Sequence, residues 1–96
     1  MIISFGNKVT GALYNGLDTK DVRHLPHDMI PKTLNKLDVL NSAQDLLDLR
    51  SPPGNRLEAL KGDLSGFYSI RVNNQWRIIF RWKDGNAYEV QLTDYH

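Results

Sequence analysis

The pattern of apolar and polar positions changes its period once along the chain. Up to about residue 50, apolar residues recur at three- and four-residue steps, which is typical of helices with one buried face. After a break at Ser-Pro-Pro-Gly-Asn, residues 51–55, apolar and polar positions alternate, which is typical of strands that bury one side. The pattern therefore predicts a helical first half and a sheet-forming second half.

The first half predicts a short strand and three helices. The expected ranges are a strand over 1–5, a helix over 7–16, a polar loop over 18–26, a helix from about 27 to 41 and a helix over 43–49. Pro31 fits the first turn of the long helix, where its missing N–H is not needed. Ser42 is expected to cap the last helix. The side chains expected to be buried on the last two helices are Ile30, Leu34, Leu37, Leu40, Leu46, Leu47 and Leu49.

The second half predicts an antiparallel sheet. A short strand or turn is expected over 57–60, and two hairpin signals, Asn73-Asn74-Gln75 and Asp84-Gly85, separate three alternating runs after it. The side chains expected on the buried face are Trp76, Ile78, Phe80, Trp82, Tyr88, Val90 and Leu92. Helices packed on one face of a twisted antiparallel sheet give an α+β fold, here in a single domain over 1–96.

The same alternation places polar side chains on the opposite face of the sheet. The members of this set are Ser69, Arg71, Arg77, Arg81, Glu89 and Gln91. Guanidinium groups bind phosphates through paired hydrogen bonds, so a face with three arginines is consistent with a polyanionic partner. The alternative is ordinary cross-strand pairing, for example of Arg81 with Glu89.

Composition removes several classes of function. The chain has no cysteine, which excludes disulfides and thiolate zinc sites. His24 and His27 lack a convincing third ligand, so no metal or other cofactor is expected. The net charge is only +1, and the chain shows neither a membrane-length apolar run nor a signal-peptide pattern. A cytoplasmic protein without a membrane partner is therefore expected.

The last three residues, Asp94-Tyr95-His96, place a carboxylate, a phenol and an imidazole side by side. Carboxylates and imidazoles can be tuned to exchange protons near neutral pH. Arg77 on a neighbouring strand, with Glu58 and Lys61 on the segment that enters the sheet, completes a set for metal-free RNA cleavage. That reaction needs a base for the 2′-OH, a cation for the phosphorane and an acid for the leaving 5′-oxygen.

Four segments together resemble HigB-type toxins of the RelE/ParE superfamily, most closely their GraT-like branch. The segments are Pro53–Asp63, Ser69–Asn73, Gln75–Ile78 and Asp94–His96, and the resemblance spans essentially the whole chain. It implies a RelE/ParE-like fold and the toxin of a type II toxin–antitoxin system. Such toxins cleave mRNA in the ribosomal A site and are neutralised by a HigA-type helix-turn-helix antitoxin. Operator DNA is contacted only through the complex with the antitoxin.

The resemblance also implies roles for residues in the active site. Asp94, Tyr95 and His96 match the family's catalytic tail. Our working hypothesis is that His96 is the general acid or acid–base partner and that Tyr95 stacks on a base or donates a hydrogen bond. Lys61 matches a basic active-site residue of the family, and Arg77 matches the arginine that follows the tryptophan. In the same hypothesis, both bind the phosphate.

Two further points concern the base and the RNA contacts. Some HigB toxins have histidine at the position of Glu58, and a glutamate there is either a base or a structural residue. In the working hypothesis, Glu58 or Asp94 is the base or orients His96. Arg56, Arg71 and Arg81 are the additional RNA-binding candidates.

Two other functions are compatible with the same fold, because a fold does not determine a function. One is a non-catalytic ParE-like toxin that acts by binding a protein such as DNA gyrase. The other is an RNA- or protein-binding domain without catalysis. The histidine at position 96 beside basic sheet residues favours the endoribonuclease over both.

Overall fold

Helices precede strands in the computed structural model, which describes residues 1–94. The helices are α1 (Lys8–Tyr14), α2 (Lys20–Arg23) and α3 (Ile30–Ser42). The strands are β1 (Glu58–Ala59), β2 (Tyr68–Arg71), β3 (Trp76–Lys83) and β4 (Asn86–Asp94). Short 3-10 helices lie at His27–Met29, Leu46–Arg50, Pro53–Asn55 and Gly62–Leu64. The expected α+β order is confirmed. Within the described range, no helix has the length and apolar character needed to cross a membrane.

Side-chain caps set where the first two helices begin. Asn7 accepts a hydrogen bond from the Thr10 backbone N–H at 3.1 Å and starts α1 where a helix was expected. Thr19 accepts one from the Val22 N–H at 3.2 Å and starts α2. Such caps satisfy N–H groups that have no partner inside the helix. The prediction of a loop throughout 18–26 was therefore wrong over the four residues of α2.

The long helix α3 was expected, but its buried face is rotated from the expected one. Leu37 and Leu40 are fully buried as expected, whereas Ile30 and Leu34 are only partly buried. Thr33 and Lys36 take the inward positions instead.

The segment after α3 differs from the short capped helix that was expected over 43–49. It forms a 3-10 helix over Leu46–Arg50, and Asp45 caps it instead of Ser42. Asp45 accepts from the Leu47 N–H at 2.9 Å, and Asp48 bonds back to the Asp45 N–H at 3.1 Å. This reciprocal capping box satisfies donors at the start of the turn. Leu47, expected in the core, is 57% exposed.

The strands form one antiparallel sheet in the order β1-β2-β3-β4. Asp84 and Gly85 both have positive φ, 52° and 78°, as a type I′ hairpin between β3 and β4 requires. The expected strand over 1–5 is reduced to two isolated parallel bridges, Ile2 with Ala87 and Phe5 with Val90. The buried face of the sheet packs on α3 through a core that includes Leu37, Leu40, Ile70, Ile78 and Phe80.

A bulge in β4 corrects the expected position of one aromatic residue. Ile79 pairs with Gln91, but Arg81 pairs with Tyr88, so β4 has one more residue than β3 between these pairs. The extra residue is accommodated at Glu89, which has a φ of 51°. Directly paired residues share a face, so Tyr88 lies beside Arg81 on the face away from the core. Its place in the core is taken by Ala87, which is fully buried.

Candidate active site

One guanidinium group gathers three parts of the chain on the open face of the sheet. Arg77 Nε donates to Ser69 Oγ at 2.9 Å, and Nη2 donates to the backbone carbonyl of Arg56 at 2.7 Å. Its Nη1 lies 3.4 Å from Glu58 Oε1. The Arg77 side chain is 12% exposed, whereas the Glu58 side chain is 57% exposed. Of the residues predicted for the site, the structure therefore brings the side chains of Glu58 and Arg77 together, and Arg56 joins them through its backbone carbonyl.

Strand register explains why these groups meet. Glu58 on β1 pairs with Ser69 on β2, and Arg77 on β3 pairs with Arg71. Ser69 is a diagonal neighbour of Arg77 on the adjacent strand, and a long side chain reaches that distance. Glu58 lies one strand further, directly opposite Ser69, so the end of the Arg77 side chain meets it beyond Ser69. Ser69 is fully buried. Its hydroxyl therefore fixes one edge of the guanidinium, and the Glu58 side remains the solvent-facing one.

The carbonyl of Arg56 points at Arg77 because of the segment that precedes it. Arg56 adopts a left-handed conformation, with φ 45° and ψ 57°. The residue before it, Asn55, is fully buried and donates to the carbonyls of Leu49 and Ser51, each at 3.2 Å. Asn55 Oδ1 accepts a hydrogen bond from the ammonium of Lys36 on α3. A buried polar link thus ties α3 to the active-site face.

Sequence reasoning missed both members of this link. Asn55 belongs to a Pro-Gly-rich break, where a polar residue is expected to be solvated. Lys36 lies three residues after Thr33 and four before Leu40, on the buried face of α3. That spacing was the signal that could have predicted burial of Lys36, although lysine is rarely buried. Burial lowers the pKa of Lys36, and the nearby Lys32 lowers that pKa further.

The other two arginines of the open face have partners of their own. Arg71 donates to Asn74 in the β2–β3 hairpin. Arg81 Nε bonds to Glu89 Oε2 at 2.7 Å, which confirms the cross-strand pairing considered for these two residues. The Arg81 guanidinium also lies 4.2 Å from the ring centre of Phe67. The three arginines therefore share a face, with Arg71 directly beside Arg77 and Arg81 four residues further along β3.

Asp94 lies at the end of β4, beside the start of β3. It pairs with Trp76, and its Oδ2 accepts from Gln75 Nε2 at 3.2 Å. The preceding residue, Thr93, pairs directly with Arg77. The described chain therefore ends close to the Arg77 strand position. The two other residues of the predicted tail, Tyr95 and His96, lie outside the described residues.

Lys61 is the other predicted phosphate ligand, and it lies three residues after Glu58. It is exposed and precedes the turn at Gly62–Leu64. Its predicted phosphate-binding role remains a prediction. Residues 1–94 contain no cluster of three His, Asp or Glu side chains placed to hold a metal ion.

Comparison with known proteins identifies the family. Residues 3–96 match the family model of the HigB-like toxins. That family is the RelE-like toxin of the type II toxin–antitoxin system HigB. The chain belongs to this family. It is 44% identical over 92 residues to Toxin HigB-1 of Vibrio cholerae, with 96% of this chain and 95% of that protein covered. It is 32% identical over 96 residues to Endoribonuclease HigB of Proteus vulgaris, with both chains covered completely.

Solved structures show the same fold at lower identity. A chain of the YoeB–YefM complex from Staphylococcus aureus aligns with a TM-score of 0.62 and 19% identity, covering 100% of this chain and 98% of that one. A mutant of YafQ from E. coli aligns with a TM-score of 0.61 and 15% identity, covering 98% and 91%. The HigB-type resemblance and the RelE/ParE-like fold are thus confirmed. The GraT-like branch stays a prediction.

Proposed function

We propose that this HigB-like toxin is a metal-independent endoribonuclease that cleaves translated mRNA. The observation that carries the proposal is the position of Arg77, held on the open face opposite the end of the strand that leads to Asp94-Tyr95-His96. Support comes from the relative in Proteus vulgaris, which is named an endoribonuclease. Cleavage of RNA without a metal needs an anchored cation with proton donors and acceptors close to it.

The reaction follows from the groups around Arg77. A carboxylate, Glu58 or Asp94, takes the proton from the 2′-OH, whose oxygen then attacks the adjacent phosphorus. Arg77 stabilises the charge on the phosphorane through its Nη1 edge, which faces the exposed Glu58. The bond from phosphorus to the 5′-oxygen breaks, and His96 gives that oxygen a proton. The products are a 2′,3′-cyclic phosphate and a free 5′-OH.

Flanking cations bind the rest of the RNA strand in this proposal. Arg56 and Lys61, both exposed, lie on the segment around β1, on either side of Glu58. Arg71 lies directly beside Arg77 on β2, and Arg81 lies four residues further along β3. Tyr95 stacks on a base or donates a hydrogen bond. Phosphate contacts of this kind position the strand and carry little sequence information.

The proposed partners are the ribosome and mRNA as the target, and a HigA-type helix-turn-helix antitoxin as the inhibitor. Operator DNA is bound only through the toxin–antitoxin complex. The proposed location is the cytoplasm, where mRNA is translated. Membership of a type II toxin family supports an antitoxin partner, and the YoeB–YefM structure is described as a toxin–antitoxin complex.

The nuclease activity is tested by inducing the wild type and a chain that lacks His96, and then mapping the 5′ ends of cellular mRNA. We expect new ends inside reading frames with the wild type and none with the shortened chain. A reporter without a start codon should stay intact if cleavage depends on translation. Equal toxicity of both chains without new mRNA ends would refute the nuclease and favour a ParE-like toxin that acts on DNA gyrase.

The antitoxin is tested separately. The product of the neighbouring gene should co-purify with the tagged toxin and restore growth when it is co-expressed. Failure of both would refute the predicted HigA-type partner and leave the nuclease result unaffected.

A further inference from the structure

The bulge in β4 creates a feature outside the Arg77 site. It turns Tyr88 to the open face, where Tyr88 pairs across the strands with Arg81. Lys83 is two residues further along β3 and points to the same side as Arg81. One aromatic ring and two cations therefore share a small area of the open face. Nothing in the proposed reaction at Arg77 requires Tyr88 or Lys83.

These side chains line a cavity of about 490 Å³. Its walls are formed by Ser4, Arg81, Trp82, Lys83, Tyr88 and Glu89. A cavity of this size is within the range that binds small ligands, roughly 300–1,000 Å³. An apolar ring beside a few charged groups is the combination that recognises a nucleotide, because the ring stacks on the base and the cations bind the phosphate.

Arg81 is held so that part of its guanidinium can bind a further anion. It lies over the Phe67 ring at 4.2 Å and bonds to Glu89 through Nε. Within residues 1–94, no hydrogen bond engages its Nη atoms. Gly66 makes room for this arrangement, since a Cβ there would lie 2.8 Å from Arg81 Nη1. The cavity also contains one more cation than anion, because Lys83 adds to the Arg81–Glu89 pair.

The cavity lies on the same face of the sheet as the proposed active site. Arg81 is four residues after Arg77 on β3, which corresponds to roughly 13 Å along an extended strand. Both side chains project from the same face. A single RNA strand bound at Arg77 therefore passes over or near Tyr88 if it follows β3.

We propose that the cavity at Tyr88, Arg81 and Lys83 binds one nucleotide of the RNA strand away from the cleaved phosphate. Tyr88 stacks on the base, Arg81 Nη atoms and Lys83 bind the phosphate, and Glu89 competes with that phosphate for Arg81. The site rests on the proposed function for its biological ligand. Its occupancy by a nucleotide is measurable without any cleavage.

The test is a titration of the ¹⁵N-labelled full-length chain with 5′-AMP and 5′-UMP, followed by NMR. Ribose 5-phosphate and inorganic phosphate serve as probes without a base. We expect saturable shifts of the amides around Arg81 and Tyr88 with the nucleotides at millimolar concentration, and weaker binding of both base-free probes. Equal binding of ribose 5-phosphate, or no saturable shift near Tyr88, would overturn the proposal.

Three variants sharpen the result. Tyr88→Leu should weaken nucleotide binding about tenfold because it removes stacking, while Tyr88→Phe should bind like the wild type. Glu89→Gln should bind more tightly, since the carboxylate no longer competes for Arg81. The melting temperature of Tyr88→Leu should stay close to that of the wild type, because Tyr88 lies outside the core. Unchanged affinity in Tyr88→Leu would refute the site.

Failure of this site and failure of the proposed function can be told apart. If the chain does not cut mRNA, the nucleotide titration still reports on the cavity. If the chain cuts mRNA but Tyr88→Leu binds nucleotides as the wild type does, only the cavity proposal fails.

Discussion

Arg77 Nη2 donates a hydrogen bond of 2.7 Å to the backbone carbonyl of Arg56. That carbonyl belongs to a residue in the left-handed conformation, directly after the fully buried Asn55. The cation proposed to stabilise the phosphorane is therefore positioned by the backbone of another segment. The buried amide of Asn55 fixes that segment through the carbonyls of Leu49 and Ser51.

Asn55→Ala should impair both stability and cleavage. The substitution leaves the Lys36 ammonium and two carbonyls without their present partner, which should cost about 2–3 kcal/mol of unfolding free energy in a urea titration. Cleavage should fall as well, because the Arg56 carbonyl no longer holds Arg77 in place. In an Arg77→Ala background, Asn55→Ala should cause no further loss of cleavage.

Asn41→Ala is the matched control for this prediction. The side chain of Asn41 also bonds to backbone, because its Oδ1 accepts from the Ile2 N–H at 2.9 Å. Asn41 lies near the end of α3, outside the segment that leads to Arg56. The Asn41→Ala variant should have a lower free energy of unfolding, but its folded molecules should cleave RNA as the wild type does. If Asn55→Ala and Asn41→Ala reduce cleavage equally per folded molecule, Asn55 has only a general structural role.

Lys36 gives the stability of the fold a specific pH dependence. Its folded pKa lies below the unfolded value of 10.5, mainly because of burial, so the unfolded chain holds the proton more strongly. Stability from this group is therefore lowest below the folded pKa and rises with pH up to about 10.5. The free energy of unfolding of the wild type should therefore rise relative to that of Lys36→Met as the pH increases through that window. A pH-independent difference would contradict the prediction.

Parts of both halves were predictable from local sequence. Burial of Leu37 and Leu40 follows from their helical spacing, and the Asp84-Gly85 hairpin of the sheet follows from turn chemistry. The Lys36–Asn55 link did not follow, because burial of a lysine depends on a partner from a distant segment. The Arg77 position was expected from strand alternation, but its bonds to Ser69 and the Arg56 backbone depend on where β1 lies.

The reversal of Tyr88 was not predictable from alternation, because the bulge depends on the first residues of the chain. The Glu89 N–H donates to Ser4 Oγ at 2.9 Å, and the Val90 N–H donates to the Ser4 carbonyl at 3.0 Å. These contacts join residues about 85 positions apart, and a local pattern carries no information about them. A two-residue period therefore placed Tyr88 in the core.

Gly6→Ala tests how closely the first residues approach this bulge. A Cβ at Gly6 would lie 2.9 Å from the Glu89 backbone carbonyl oxygen and 2.9 Å from the side-chain Nε2 of Gln91. We expect a loss of about 1–3 kcal/mol in a urea titration, because the clash involves backbone that is held in place. Gly54→Ala is the control, since no atom lies within 4 Å of its Cβ position. It should be neutral or slightly stabilising, and a similar loss in both variants would contradict the close approach at Gly6.

Glu58→Gln separates proton transfer from the ion pair with Arg77. The carboxylate is 57% exposed, so loss of the pair should change stability by less than about 1 kcal/mol. If Glu58 is the base, cleavage should fall about 100-fold or more, because an amide cannot accept the 2′-OH proton. We expect this result, since Glu58 is 3.4 Å from the Arg77 edge proposed to bind the phosphate. A larger defect in Asp94→Asn would assign the base to Asp94 instead.

The phenol of Tyr14 provides an independent test of packing between α1 and α3. Burial raises the pKa of Tyr14 above 10.0, and Asp38 raises that pKa further through its charge and a hydrogen bond. The folded chain therefore retains this proton more strongly than the unfolded chain. The associated stability is present below pH 10.0 and is lost as the pH rises through the folded pKa. Tyr14→Phe should remove this loss, measured by urea unfolding on either side of pH 10.0. Asp38→Asn should lower the Tyr14 pKa in an ultraviolet titration, and an unchanged phenol titration in that variant would show that Asp38 does not act on Tyr14.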